Sequence, residues 1–189
     1  LFRSPFVDRD AERDIIWAAI EEVVEDGGLR VIFLVGGPGV GKSSLAEWMA
    51  CRADELGAVR RLKAVHSPGA AGDVEGVAGL MRRAFRCWKL EHDELLEFLR
   101  EDLSEPGPDD EFHDRDARTL AEWLEPEPED KPGGPSFRFS TAPQRRALSQ
   151  RLLRRMSAER PCFVWLDDLQ WGADTLGHLE FLVESDELE

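Results

Sequence analysis

The octapeptide Gly36-Gly37-Pro38-Gly39-Val40-Gly41-Lys42-Ser43 constrains this chain more than any other stretch of it. It matches GxxxxGK[ST], a phosphate-cradling pattern, and it stands where that pattern has to stand. Before it runs Val31-Ile32-Phe33-Leu34-Val35, a short apolar segment that predicts a strand over 30–35, buried on both faces. After it, residues 43–56 have helical spacing. Glycines in such a turn let backbone N–H groups point inward around a phosphate without Cβ clashes. The following helix start adds its own free N–H groups and dipole. Lys42 is the point charge aimed at the β- and γ-phosphates, and the Ser43 hydroxyl is the expected Mg²⁺ ligand.

A chain built around such a turn needs an open sheet, and the remaining pattern supplies candidate elements. Ile15, Ile16, Ala19, Ile20, Val23 and Val24 recur at helical spacing, and Gly27-Gly28 ends that helix. A second strand is expected at 59–65 and a third at 161–166, carried by Cys162-Phe163-Val164-Trp165-Leu166. Helices are expected over 74–88, over two stretches within 91–124, from Thr141 or Ser140 to about Ala158, and from Thr175 to Val183. Alternating strands and helices predict an α/β fold: a parallel sheet flanked by helices in three layers.

The third strand ends in Asp167-Asp168. Phosphoryl transfer needs a carboxylate that holds the metal from the end of an apolar strand beside the phosphate loop. Asp167, first after the strand, is the candidate Mg²⁺ holder through its water shell. Asp168 is the candidate to orient or deprotonate the attacking water, and with Lys42 it forms the expected catalytic pair. The ligand expected at this site is a nucleotide phosphate with Mg²⁺.

Charge and cysteine usage narrow the partners. The net charge is −15, and residues 91–130 alone hold 17 acidic and 3 basic side chains. A chain this acidic has no broad electrostatic grip on nucleic acid or an anionic membrane. Residues 67–136 read as an acidic, mainly helical insert, with 91–130 as a solvated acidic stretch or a docking surface for a basic partner and 125–136 as an exposed loop. The arginines of 145–160 answer that acidic face. Three scattered cysteines (Cys51, Cys87, Cys162) rule out a disulfide framework and point to a cytoplasmic location. Cys162 is expected to pack rather than react, the four histidines lack zinc-ligand spacing, and Trp171 is expected to anchor its loop against the core.

The block Asp167-Asp168-Leu169-Gln170-Trp171-Gly172-Ala173-Asp174 resembles the "DDLQWAD" block of STAND-class ATPases, an AAA+-related group. Similar domains sit in LuxR-type bacterial regulators and behind bacterial serine/threonine protein kinases. Pro5-Phe6-Val7-Asp8-Arg9-Asp10-Ala11-Glu12-Arg13 resembles the family's "FVGRDAE" entry motif, and Lys42-Ser43-Ser44-Leu45-Ala46-Glu47 fits the run after the phosphate loop. Two positions depart from the family pattern: Asp8 stands where the family has Gly, and Gly172 is an additional residue. The resemblance implies that Val7 and Arg9 lie near the nucleotide. It implies that Gly39, Gly41, Lys42, Ser43 and Ser44 hold phosphate, while Asp167 and Asp168 serve metal and water. It also implies that the nucleotide is ATP with Mg²⁺, and that ATP and its hydrolysis drive a switch whose partners are effector or kinase domains of the same polypeptide, with nucleotide-dependent self-association. Five core strands are implied, with a further one between 30–35 and 161–166, so 1–189 is expected to be an incomplete, C-terminally truncated P-loop ATPase domain. A binding-only nucleotide module and a small-molecule kinase are the alternatives.

Overall fold

A computed structural model describes residues 8–69, 75–103, 113–128 and 141–186. Helix α1 spans Asp10–Asp26 and stops at Gly27, whose N–H bonds the Val23 carbonyl. Helix α2 (Lys42–Glu55) begins directly on the glycine-rich turn, and strand β1 (Arg60–Val65) follows. Helices α3 (Gly76–Ala84), α4 (His92–Asp102) and α5 (His113–Leu124) come next. The chain then runs through α6 (Ala142–Ser157), β2 (Cys162–Asp167), a 3-10 turn (Leu169–Trp171) and α7 (Ala173–Asp186). Thr141 precedes α6, but its hydroxyl donates to Gln144 Oε1 (2.9 Å) rather than capping a backbone N–H.

Strands β1 and β2 pair in parallel, with Arg60 opposite Cys162 and Val65 opposite Asp167. Alternation along each strand sorts the side chains onto two faces. Leu62, Ala64, Cys162, Val164 and Leu166 face the larger core, which includes Leu80, Met81, Leu95, Leu99, Leu120, Leu148 and Leu152. Phe163 packs on the other side, with Ile16, Ile20, Leu45, Met49, Ala53 and Val59 from α1, α2 and the approach to β1. Helices therefore cover both faces of a parallel sheet, as an α/β fold requires.

Two expectations are corrected. Residues 31–35 do not form a buried strand: Phe33 is 65% and Val35 90% exposed, and only Leu34 joins the smaller core. Strand geometry is held by ladder bonds to neighbours, and the sheet among the described residues comprises β1 and β2 alone. Without a ladder partner, an apolar run of five residues does not bury itself. The acidic segment is also more than a solvated insert. Leu95, Leu99 and Leu103 from α4 and its end, with Ala117, Leu120, Ala121 and Leu124 of α5, are fully or almost fully buried and form much of the larger core. Asp93, Glu94, Glu97 and Asp114 lie on the outer faces of these helices, where Asp114 bridges Arg100 (2.8 Å) and Arg118 (2.7 Å), while Asp116 and Glu122 are buried.

Arg151 of α6 meets that segment directly, clasping Asp116 through two hydrogen bonds (2.6 and 3.1 Å). The expected exposed loop at 125–136 falls partly outside the described residues. Within its described part Glu127 is buried, its N–H donating to a Glu122 carboxylate oxygen (3.0 Å). Cys162 packs against the larger core, and burial pushes its thiol above the ordinary range.

His178 in α7 stacks on Trp123 with ring centroids 5.9 Å apart, its Nδ1 bonded to the Asp174 carbonyl (2.9 Å). Burial pushes this imidazole below its ordinary value of 6.5; the Asp174 carbonyl and carboxylate pull it up, and Arg146 and Arg145 push it further down. A depressed histidine contributes stability that is present in full above the unfolded value and fades as pH falls below it. The melting temperature should therefore fall as pH drops from about 7 to about 5.5. His178→Phe, which keeps the stack, should flatten that slope; an unchanged slope would assign the effect to other groups.

Candidate nucleotide and metal site

The glycine-rich turn closes through its own lysine. Lys42 Nζ donates to the carbonyl oxygens of Gly36 (2.9 Å) and Gly37 (2.8 Å), so the cation lies across the loop. Gly41 takes φ +88° at the cap of α2, a left-handed conformation that favours glycine. Beside Gly37, Gly39 and Gly41 there is open space where side chains would otherwise stand, which leaves the backbone accessible to a phosphate. Pro38 and Val40 form the exposed crest of the turn, and Ser44 is exposed on the first turn of α2.

The two halves of the site meet across 124 residues. Ser43 Oγ donates to Asp167 Oδ1 at 2.7 Å, so α2 and the end of β2 present a hydroxyl and a carboxylate at one point. These are hard oxygen donors, the chemistry that Mg²⁺ selects, and the pair fits that ion. Asp168 follows in a left-handed conformation (φ +53°) at the head of the 3-10 turn. Its carboxylate is exposed and accepts from Gln170 Nε2 (3.2 Å).

Arg9 reaches the same place from the N-terminal side, its guanidinium donating to the Val40 carbonyl on the crest of the loop. It also pairs with Glu12 (3.2 Å). Val7 lies outside the described residues. Asp8 has φ +69°, a conformation that favours glycine, and its Oδ1 accepts the Arg9 N–H (3.0 Å). Asp tolerates this conformation better than most residues but still at a cost. Asp8→Gly should raise stability by about 0.5–1 kcal/mol, measured by urea unfolding; a loss would mean that the side-chain bond outweighs the strain.

Three residues at the site were not singled out in the sequence. Lys63 Nζ sits 3.6 Å from Asp167 Oδ2 and 3.5 Å from the Trp165 ring centroid, a cation held between a carboxylate and a π face. A charged residue inside a core strand was the signal for it. Arg9, Lys42 and Lys63 thus gather positive charge at the loop and Asp167 within a chain of net charge −15. His66 and Thr175 are the other two, and both are buried.

Trp171 does not anchor its loop: it is 54% exposed. Contact with the core is made instead through Gly172. A Cβ added to Gly172 would lie 2.7 Å from His66 Nε2. Gly172→Ala should therefore cost about 1–2 kcal/mol by displacing that ring, read as a lower urea midpoint at unchanged m-value; an unaffected midpoint would show that the loop yields freely.

His92 and Glu127, two buried residues, approach to 3.6 Å near Asp93. His92 Nδ1 bonds the Glu125 carbonyl (2.6 Å), so His92 ties the start of α4 to the residues just after α5. Among the described residues no helix is long and apolar enough to cross a membrane.

The sequence model for the AAA ATPase domain matches residues 5–188. No curated protein and no solved structure matches the chain. The family match spans almost every residue and takes in the glycine-rich turn, Ser43, Asp167 and Asp168, the elements that the fold brings to one end of the sheet. The chain belongs to the AAA ATPase domain family.

Proposed function

We propose that this domain is an ATP-binding switch within a larger bacterial regulatory protein, with Mg²⁺ held between Ser43 and Asp167. The 2.7 Å contact between those two side chains carries the reading, because neither is brought to the other by local sequence. In this reading the loop N–H groups of Gly36–Ser43, with Ser44 beside them, bind phosphate, and Lys42 turns from the Gly36 and Gly37 carbonyls onto the β- and γ-phosphates. Bound Mg²⁺ supplies charge neutralisation at the phosphates. Asp167 positions that ion through its water shell, and Asp168 orients the attacking water or accepts its proton. Arg9 sits on the loop from the adenine side. Arrangement of the neighbouring domains is what the nucleotide state changes; effector or kinase domains of the same polypeptide, and a second copy of the chain, are the partners.

Segment 31–35 belongs to the same proposal. Leu34 and Phe163 pack into one small core, yet no ladder joins their backbones. A further strand between them, supplied from outside these 189 residues, would pair with both and complete the sheet that holds the loop against Asp167. Phosphoryl transfer depends on positioning, and a misplacement of about 1 Å costs roughly 10²-fold in rate. The 189-residue chain is therefore expected to bind ATP weakly and to turn it over far below about 1 s⁻¹. A chain lengthened C-terminally by one strand-helix unit should release phosphate faster and stay in solution better. Steady-state phosphate release from both decides it: turnover near 1 s⁻¹ from the short chain would overturn the incomplete-sheet reading, and absence of ATP binding by either would overturn the switch.

A further inference from the structure

His66 follows directly after β1, and its ring does at the sheet's end what the ladder does within it. The last paired residues are Val65 and Asp167. One residue on, His66 Nδ1 lies 2.7 Å from the Asp167 carbonyl oxygen. A carbonyl only accepts, so Nδ1 carries the proton and donates it. The other ring nitrogen, Nε2, lies 2.8 Å from Thr175 Oγ1 in α7, where the hydroxyl can donate to it. The ring is 6% exposed, and the face of Gly172 closes over it at a distance that excludes any side chain there. Three elements thus hold one imidazole: the end of β2, the turn after it, and the first turn of α7.

The bond falls on the peptide that joins Asp167 to Asp168. Asp167 is the last residue of the ladder, and Asp168 next to it is in the left-handed region. A donor fixed on the Asp167 carbonyl sets the rotation of that peptide and therefore the directions in which both carboxylates leave the backbone. Gly172, the additional residue in the Asp167–Asp174 block, is what makes room for the donor.

We infer that His66 is a positioning residue for the metal site: through its Nδ1–H bond to the Asp167 carbonyl it aims the Asp167 carboxylate at the Mg²⁺ that Ser43 shares. The inference rests on the nucleotide reading above and deepens it. It assigns separate jobs to the two ring nitrogens. Nδ1 aims the carboxylate, while Nε2 steadies the ring against α7.

Asparagine places an amide N–H₂ near the position of Nδ1, and glutamine places one near Nε2, so the two substitutions separate these jobs while filling the space. The measurement is ATP affinity by calorimetry on the whole chain, with Mg²⁺ and with EDTA, giving the factor by which Mg²⁺ strengthens binding. His66→Gln should cut that factor about 10-fold or more while leaving the metal-free affinity within about twofold. His66→Asn should keep the factor within about threefold of the wild type, and so should Thr175→Val, which spares the Nδ1 bond. Equal losses in His66→Gln and His66→Asn would reduce the histidine to a core filler and overturn the inference. So would a His66→Gln chain that keeps the full Mg²⁺ effect, or one that loses metal-free binding instead. A wild-type chain that binds ATP with no Mg²⁺ effect would overturn the metal role of Asp167 and this inference with it, leaving the phosphate loop standing. A wild-type chain that binds no ATP at all would overturn the nucleotide reading itself.

Discussion

Lys42→Ala should weaken ATP binding by about 10²-fold, a loss of roughly 3 kcal/mol, the upper end for hydrogen bonds made by a charged group. Two contributions act together. The variant removes the cation that the loop aims at the phosphates. It also removes the ammonium that ties the Gly36 and Gly37 carbonyls (2.9 and 2.8 Å), so the loop loses part of its closed form before any ligand arrives. Because Lys42 is on the surface side of α2 and outside both cores, the melting temperature should move little. Calorimetry in Mg²⁺ buffer reads the affinity, and binding equal to wild type would remove the phosphate loop from the site.

Asp167→Asn should weaken the effect of the metal without weakening metal-free binding. The amide keeps an oxygen that can accept from Ser43 Oγ, as Asp167 Oδ1 does at 2.7 Å, so the junction between α2 and β2 stays in place. What disappears is the negative charge, which in the proposed reading would hold the water shell of Mg²⁺ and which faces Lys63 at 3.6 Å. Mg²⁺ should then strengthen ATP binding at least about 10-fold less than in the wild type, equivalent to about 1.4 kcal/mol, while the affinity in EDTA stays the same or rises. The rise has a simple origin: one acidic group fewer stands beside the phosphates. If Asp168→Asn shows this loss and Asp167→Asn does not, the two carboxylates have exchanged roles.

Local pattern carried the elements whose formation depends on near neighbours. Helical spacing over Ile15–Val24 marks α1, and the glycine-rich turn followed by Lys42 marks the start of α2. The run Cys162–Leu166 with its two aspartates marks β2 and the carboxylates at its end. Each of these reflects a preference set within about one or two turns of chain: periodic burial, steric freedom at glycine, a strand ending at polar residues. The same kind of preference misled at Val31–Val35, because an apolar run states that a segment suits a strand but does not state which strand will pair with it.

By itself, then, the sequence determined the groups at the site: a glycine-rich turn with its lysine, a hydroxyl at the start of α2, two carboxylates at a strand end, and membership in the AAA ATPase domain family. Tertiary structure decided which groups share that site and what holds them. The meeting of Ser43 with Asp167, the Lys63 ammonium between Asp167 and Trp165, and the His66 ring between Asp167, Gly172 and Thr175 are contacts between distant segments. So is the burial of Leu95, Leu99 and Leu120, which turns the most acidic stretch of the chain into a main contributor to its core. Such contacts follow from strand register and helix packing, and both depend on the whole chain at once. A lysine in a strand or a histidine after one shows its purpose only when its neighbours across the sheet are in place.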